Sequence, residues 1–315
     1  MRQVHEFEMG AIPPYSFELT VSKPAGWWWA TPDEIYEKGT LWTATRFRGK
    51  LIGVKFWDLG TLNKPRIGCS IYSDSGLTLD EKQIIEGIMR RSLRTGEDLR
   101  PFYDMAGRDN ILAPVVRDLR GMRILWWPDL FPALILAVTL QMAPMKRSNQ
   151  MMDSVRELYG DDAEFDGRQV RYWPSPKRIA STPVAELMSR TKLGYRAKNL
   201  VSIAESIETG FPDMDELSRL TAEEARERLM ELRGVGPYSA AIVVSERGFS
   251  VDVWSAKIFS VLLKGVEPED PRGVIPEIQR LAAERWGQWT GHAFVYILND
   301  LEKISKRIGV DLTKY

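Results

Sequence analysis

The stretch Leu232–Phe259, LRGVGPYSAAIVVSERGFSVDVWSAKIF, decides how the rest of the 315-residue chain is interpreted. It places the turn Gly234-Val235-Gly236 between two predicted helices, and Pro237 begins the second one. Glycine tolerates positive φ angles, and proline suits the first helical turn because the N–H that it lacks would be unpaired there. The stretch therefore predicts a tight corner between two helices, with the valine filling the groove between them.

The predicted corner has the geometry of an anion site. The backbone N–H groups of Gly234, Gly236 and Tyr238 are expected to point outward at the positive end of the second helix dipole, which suits a phosphate. A plain helical corner closed by a glycine is the alternative. The turn alone leaves both interpretations open.

Asp252 stands at the start of a further predicted helix, and it too has two interpretations. Aspartate is a favoured N-cap, so capping alone accounts for it. Its neighbours Val251 and Val253 would partly desolvate the carboxylate, which would then strongly attract a positive charge that develops nearby. The short distance in sequence from the phosphate-type corner favours the second interpretation.

Composition limits the classes of protein to which the chain can belong. The 43 basic and 43 acidic residues balance; many proteins that neutralise nucleic-acid phosphates are basic, yet a balanced chain can carry one basic face. The single Cys69 excludes an internal disulfide and a four-cysteine iron–sulfur cluster, and it fits a reducing compartment. No apolar run approaches the ~20 residues needed to cross a bilayer, and the N-terminus lacks a secretory pattern. We therefore expect a cytoplasmic protein without membrane contact, associated with the nucleoid in a prokaryote or nuclear in a eukaryote.

The first part of the chain predicts a sheet. Alternating or β-rich segments recur at Ser16–Val21, Leu41–Phe47, Lys50–Trp57 and Gly68–Tyr72, and Gly49 allows a hairpin between the second and third. From Thr78 the apolar period becomes helical, with Glu81 completing a capping-box pattern. This predicts an α+β domain over residues 1–110 that contains an antiparallel sheet.

Residues 111–315 predict an all-α region of many short helices joined by brief connections. The run Trp27-Trp28-Trp29 belongs to the first domain. We interpret it chiefly as a sheet face packed on helices, because large aromatic side chains dominate cores; a ligand-binding surface is the alternative.

The order of these segments resembles the HhH-GPD superfamily of DNA glycosylases, named for its helix-hairpin-helix, its Gly/Pro-rich loop and its aspartate. LRGVGPYSA followed by VDVWSAKIF resembles those features, and LGYRAKNL (193–200) and AERWGQWTGHAFVYIL (283–298) resemble further family segments in the same order. Segments 131–161 and 172–187 do so as well. The resemblance covers roughly residues 100–300. The first domain is similar to that of the AlkA-type 3-methyladenine and eukaryotic-type 8-oxoguanine glycosylases.

The resemblance implies a role for each matching residue. Asp252 would be the catalytic aspartate, and the target nucleotide would be flipped out of double-stranded DNA into a pocket. Met142, which follows Gln141, matches the wedge that fills the gap left by the flipped base, although a core methionine is an alternative. The DNA-binding set is Gln141, Met142, Gly234, Val235, Gly236 and Ser239. The backbone carbonyls of Leu232 and Val235 would hold a monovalent cation if one is present, and no other cofactor is expected.

Tyr238 decides the predicted type of reaction. Bifunctional relatives carry a lysine at this position, where it forms a Schiff base with the sugar. Tyrosine cannot form one, so the sequence predicts a monofunctional glycosylase that uses water as its nucleophile. Lys257, one turn along the Asp252 helix, is not expected to substitute.

The predicted base pocket consists of Tyr238, Ile242, Phe294, Leu298 and Trp28. An apolar, aromatic pocket suits electron-poor, cationic bases through stacking and cation–π attraction. The sequence therefore favours a monomeric DNA N-glycosylase of base excision repair for alkylated or deaminated purines such as 3-methyladenine or hypoxanthine. An 8-oxoguanine glycosylase with weak or no lyase activity is an alternative. A non-catalytic DNA-binding protein that uses the corner only for phosphate contacts is another.

Overall fold

The computed structural model describes residues 1–22, 35–143, 145–212, 214–217, 219–244 and 251–315. Trp28, predicted to line the pocket, lies outside these residues, as do the rest of the tryptophan run and Pro144. Within the described ranges, no helix is both long and apolar enough to cross a membrane.

A five-stranded antiparallel sheet forms the first part of the fold, as the alternating segments predict. Its strands are β1 (Arg2–Gly10), β2 (Ile35–Glu37), β3 (Thr40–Phe47), β4 (Lys50–Asp58) and β5 (Arg66–Ser73), in the spatial order β1-β5-β4-β3-β2. The polar edge strand β1 was not predicted. The prediction of an extended segment at Ser16–Val21 is wrong, since helix α1 (Phe17–Ser22) lies there. The Ser16 hydroxyl accepts a hydrogen bond from the Leu19 N–H and so begins this helix.

Helix α2 (Leu79–Ser92) covers the sheet and begins as its sequence indicates. The Thr78 hydroxyl accepts from the Glu81 N–H, and the Glu81 carboxylate accepts from the Thr78 N–H, which completes the predicted capping box. Ile85 and Met89 of this helix are buried with sheet residues in one hydrophobic cluster.

Helices dominate the rest of the chain, and they pack around a second and larger hydrophobic cluster. The central helix α5 is buried along its whole length, and it packs against α9 and α12. These helices are α3 (Arg100–Ala106), α4 (Leu112–Asp118), α5 (Leu130–Thr139), α6 (Met145–Tyr159), α7 (Pro176–Ala180), α8 (Val184–Arg190), α9 (Arg196–Glu208), α10 (Met214–Leu217), α11 (Ala222–Met230), α12 (Pro237–Val244), α13 (Val253–Lys264), α14 (Ile275–Trp286), α15 (Thr290–Asn299) and α16 (Leu301–Ile308), with a 3₁₀ helix at Gly287–Trp289.

A β-hairpin interrupts the helical region, which was predicted to be all α. Strands β6 (Asp161–Phe165) and β7 (Arg168–Tyr172) pair antiparallel across Asp166 and Gly167, both of which have positive φ. Asp-Gly is the typical sequence of such a two-residue turn. The hairpin was missed because its strands are short and largely polar, although the Asp-Gly pair could have revealed it.

The hairpin ties the helical region to the sheet. Asp166 accepts hydrogen bonds from the Trp42 ring N–H at 2.7 Å and from the Tyr72 hydroxyl at 3.1 Å, and it pairs with Lys55 at 2.8 Å. The Phe165 ring lies directly over Gly53 of β4, where a Cβ atom would come within 2.4 Å of it. Contacts between this hairpin and the sheet therefore cross the predicted domain boundary between residues 110 and 111.

Candidate active site

The corner between α11 and α12 has the predicted form. Gly234 adopts a φ of +84°, and the Val235 N–H donates to the Leu232 carbonyl at 3.0 Å. Val235 is buried, as expected for a residue that fills the groove between two helices. Gly234 also lies against the side chain of Asn199 in α9, so a Cβ atom there would meet the amide at 2.4 Å. The corner is therefore fixed both by its backbone conformation and by close packing.

Gln141 connects this corner to the end of α5. Its side-chain N–H donates to the Gly234 carbonyl at 2.7 Å and to the Ser239 hydroxyl at 2.9 Å. The Ser239 hydroxyl in turn donates to the Ala137 carbonyl at 3.3 Å and is buried. A contact between Ser239 and DNA would therefore have to come from its backbone. Gln141 holds the corner in place in this conformation.

Met142 projects into solvent beside the corner. It is 77% exposed, which excludes the alternative that it is a core methionine. Its φ of +47° lies in the left-handed region, which costs a residue with a side chain roughly 1–2 kcal/mol. Backbone strain of this kind tends to persist where function requires it.

Tyr195 is an exposed aromatic residue that the sequence interpretation did not single out. It is 57% exposed and precedes α9. The guanidinium of Arg196 lies 4.6 Å from its ring centroid and also donates a hydrogen bond to the Gln141 carbonyl. Arg196 thus links the exposed ring of Tyr195 to the backbone of Gln141, the residue before the exposed Met142.

Asp252 is the N-cap of α13. Its carboxylate Oδ1 accepts from the Ser255 N–H at 2.7 Å, and its carbonyl accepts from the Ala256 N–H at 2.8 Å. The side chain is half-buried. Val251 is buried, whereas Val253 is 42% exposed, so the apolar surroundings predicted on both sides of Asp252 are present in the fold only at Val251.

Tyr238 connects the corner electrostatically to Asp252. Tyr238 stands in the first turn of α12, and burial raises the pKa of its hydroxyl well above the usual value. The negative charge of Asp252 raises that pKa further, because a tyrosinate would face a carboxylate. The hydroxyl therefore stays protonated, and the two predicted active-site residues lie close enough to interact.

The other predicted pocket residues lie in the helical core. Ile242, Phe294 and Leu298 are buried and share one hydrophobic cluster with the partly buried Tyr238. The Phe294 ring stacks on Phe259 of α13 at a centroid distance of 5.3 Å. Phe294 thus packs against the helix that Asp252 begins, about two turns from its start.

A cavity of about 640 Å³ lies beside α12. Val243, Val244, Trp126 and Trp127 contribute to its wall, and Arg94 lies among the residues around it. The four predicted pocket residues within the described ranges do not line it. The predicted base pocket and this cavity are therefore lined by different residues.

Exposed basic residues lie in the corner and on the segments that adjoin it, namely the start of α6 and the region around the start of α9. We define the hairpin basic surface as Lys146, Arg147, Lys192, Lys198 and Arg233. All five are exposed, and the described part of the chain offers none of them an acidic partner within ion-pair distance. The Arg147 guanidinium donates to the Lys192 carbonyl at 2.8 Å, which brings α6 next to the segment before α9. A chain of zero net charge thus has a local basic surface beside a turn suited to phosphate.

Comparison with known proteins finds relatives at low identity, and no family model matches the chain. A DNA-3-methyladenine glycosylase from Bacillus subtilis is 26% identical over 209 residues, which are 64% of this chain and 66% of that protein, so the match spans just under two thirds of its length. A probable N-glycosylase/DNA lyase from Methanothermobacter thermautotrophicus is 25% identical over 224 residues, or 64% of this chain and 70% of that protein.

Solved structures share the fold along almost the whole chain. The 3-methyladenine DNA-glycosylase from Archaeoglobus fulgidus superimposes with a TM-score of 0.75 at 18% identity, covering 95% of this chain and 99% of that one. The 8-oxoguanine glycosylase/lyase from Clostridium acetobutylicum, in complex with double-stranded DNA, gives 0.62 at 18% identity over 98% and 100%. The sequence relatives and structural neighbours of this chain are thus DNA glycosylases of the 3-methyladenine and 8-oxoguanine kinds, consistent with the helix-hairpin-helix type that its corner and aspartate resemble.

Proposed function

We propose that this chain is a monofunctional DNA N-glycosylase of base excision repair. The observation that carries the proposal is the arrangement of Tyr238, in the first turn of α12 directly after the corner, and Asp252, at the N-cap of the next helix, α13. The relatives support the same class of activity, since both are named as glycosylases.

Double-stranded DNA is the proposed partner. The outward N–H groups of the corner would bind one phosphate, and the hairpin basic surface would neutralise its neighbours. A monovalent cation held by the carbonyls of Leu232 and Val235 is part of the proposal; the Leu232 carbonyl already accepts one hydrogen bond and retains a second lone pair for it. We further propose that the protein acts as a monomer, in the cytoplasm or in the compartment that holds the DNA.

In the proposed reaction the damaged nucleotide leaves the duplex, at a cost of a few kcal/mol for unstacking. Met142, exposed beside the corner, would fill the gap, since a flexible apolar side chain can insert between base pairs. As the bond between C1′ and the base breaks, positive charge develops on the sugar. The Asp252 carboxylate would stabilise that charge and orient a water molecule towards C1′.

Water is the proposed nucleophile because the position of Tyr238 offers no amine. A phenol has no amine nitrogen and cannot form a Schiff base, so an abasic site and an intact strand are the expected products. Lys257 is not proposed as a substitute, and its ammonium group lies 5.7 Å from the ring centroid of Tyr315.

Alkylated or deaminated purines are the proposed substrates. Tyr238, Ile242, Phe294 and Leu298 supply an apolar and aromatic surrounding, which favours a cationic base through stacking and cation–π attraction. An N-alkylated purine already has a weakened glycosidic bond, so one carboxylate suffices. The name of the Bacillus subtilis relative agrees with this class of substrate.

A panel of lesion-containing duplexes tests the proposal. Base release and strand cleavage are scored separately for 3-methyladenine, hypoxanthine and 8-oxoguanine. Release of an alkylated or deaminated purine without strand cleavage is expected. No release from any duplex would contradict the proposed activity and favour a non-catalytic DNA-binding protein, which would still bind duplex in a salt-dependent way.

An 8-oxoguanine glycosylase is the second candidate function. It is favoured by the segment LGYRAKNL (193–200), which resembles that branch, and by the second relative, whose name includes lyase activity. Borohydride trapping of a covalent adduct between enzyme and DNA separates the candidates. An adduct would overturn the monofunctional assignment, whereas its absence together with base release would support hydrolysis.

A further inference from the structure

Ser255 completes the capping box of Asp252 and makes one further contact, from its hydroxyl to the carboxylate, that helix capping does not require. It is the third residue of α13 and is fully buried. Its hydroxyl lies 2.7 Å from Asp252 Oδ1, and it also accepts from the Asp252 N–H at 2.9 Å. The Ser255 backbone N–H donates to the same Oδ1 at 2.7 Å. Two hydrogen bonds therefore converge on one oxygen of the carboxylate.

The identity of this residue matters for the charge at the site. In most capping boxes the third helical residue is glutamate or glutamine, and a glutamate here would place a second negative charge beside Asp252. Serine accepts from the Asp252 N–H and can still donate its own proton to the carboxylate. It closes the box without competing for the positive charge that the site must attract.

The two bonds also fix the direction of the carboxylate. Among the described residues, every hydrogen bond of the Asp252 side chain falls on Oδ1. Oδ2 accepts none from these residues and is left available to a substrate. A pre-oriented carboxylate needs no rearrangement when charge develops nearby, which is the condition for efficient electrostatic catalysis.

We infer that Ser255 is a positioning residue, which acts through Asp252 by holding Oδ1 and directing Oδ2 towards the reacting sugar. The inference rests on the proposed glycosylase function. It assigns to Ser255 an effect on the rate of base release rather than on DNA binding, because the buried hydroxyl does not reach the surface.

Single-turnover base release by Ser255→Ala tests this inference. The variant is expected to release base about 10-fold more slowly at saturating enzyme, with unchanged affinity for a duplex that contains an abasic site. Ser260→Ala is the matched control. Ser260 is also fully buried on α13, and its hydroxyl donates to the Val266 carbonyl at 2.8 Å, far along the helix from Asp252. Its variant is expected to keep the wild-type rate.

A double-mutant cycle with Asp252→Asn distinguishes positioning from a general loss of stability. If Ser255 acts through Asp252, the double variant should be no slower than Asp252→Asn alone. A wild-type rate in Ser255→Ala, an equal loss in Ser260→Ala, or additive losses in the cycle would each overturn the inference while leaving the proposed function intact. No base release by the wild-type protein would overturn both.

Discussion

Gly234 cannot readily be replaced by a residue with a side chain, for two separate reasons. Its φ of +84° belongs to the left-handed region, and the Asn199 amide occupies the place of a Cβ atom at 2.4 Å. At Gly236, two residues further on, a Cβ atom would meet no other atom within 4 Å. The two glycines of the corner are therefore not equivalent, although they look alike in the sequence.

We expect Gly234→Ala to destabilise the protein by about 1–3 kcal/mol, from the strained φ together with displacement of Asn199. The same variant should bind an abasic-site duplex more weakly, because the N–H groups of the corner would move. Gly236→Ala should stay close to wild type in stability. Denaturant unfolding and duplex titration measure both effects, and equal stability of the two variants would show that the corner is not restricted at Gly234.

At the residue scale, the sequence was sufficient to predict the form of the corner and the N-cap at Asp252, because each belongs to a short pattern with a physical meaning; the catalytic roles of Asp252 and Tyr238 stay predictions. Ser255 and Tyr195 escaped notice. A serine three residues after an N-cap is a weak pattern beside the usual glutamate, and the exposure of Tyr195 depends on the packing of α9 against α5. The predicted pocket residues stay predictions, and Trp28 among them lies outside the described part of the chain.

At the scale of elements, the β6–β7 hairpin joins the sheet to the helices through Asp166. Burial first, and the charge of Asp166 second, raise the pKa of Tyr72 to about 12. An unfolded tyrosine ionises near pH 10. Between pH 10 and 12 the folded protein thus keeps the proton of the Tyr72 hydroxyl, whereas the unfolded chain releases it. The contribution of the neutral Tyr72 to the free energy of unfolding is therefore complete below pH 10 and is lost as the pH rises towards 12.

Tyr72→Phe removes this linkage. The variant should lose about 1 kcal/mol at pH 8, where only its hydrogen bond to Asp166 is missing. Between pH 10 and 12 its free energy of unfolding should fall less steeply than that of the wild type. The two slopes should differ by up to about 1.4 kcal/mol per pH unit. Urea unfolding across this pH range measures the slope. Parallel slopes for the two proteins would contradict the account of how the hairpin is anchored.

Elements with explicit end signals were predictable, and elements set by tertiary packing were not. Thr78 and Glu81 indicated where α2 begins because both partners of a capping box are visible in the sequence. Ser16–Val21 alternates like a strand, yet it forms α1, because Ser16 caps the segment and Phe17, Thr20 and Val21 turn together into the core. A period of two over six residues does not distinguish these outcomes.

For the whole molecule, zero net charge conceals an uneven distribution. The five residues of the hairpin basic surface have no acidic partner among the described residues, whereas some exposed cations elsewhere are paired, as Arg66 is with Glu8. Composition could not predict this arrangement, since it depends on which elements the fold brings to one side. The proposed DNA contact depends on the local surface and not on the total.

Arg147 and Arg233 offer a test of that contact. If each neutralises one phosphate, replacing either by alanine should lower the slope of log affinity against log salt by about one. Binding should weaken on every duplex sequence alike. Lys64→Ala, an exposed lysine between β4 and β5, is the control and should keep the wild-type slope. An unchanged slope in both arginine variants would place the duplex elsewhere on the protein.

Base release by Asp252→Asn, compared with the wild type under single-turnover conditions, tests the central claim most directly. Asparagine caps helices as well as aspartate does, so the variant should fold and bind an abasic-site duplex normally. Asp252→Ala loses the cap as well as the carboxylate, so the difference between the two variants shows what loss of the cap adds to loss of the charge. Loss of the carboxylate charge should slow release of 3-methyladenine or hypoxanthine by on the order of 100-fold or more. Undiminished release by Asp252→Asn would contradict the account, and it would leave Asp252 as a helix cap alone.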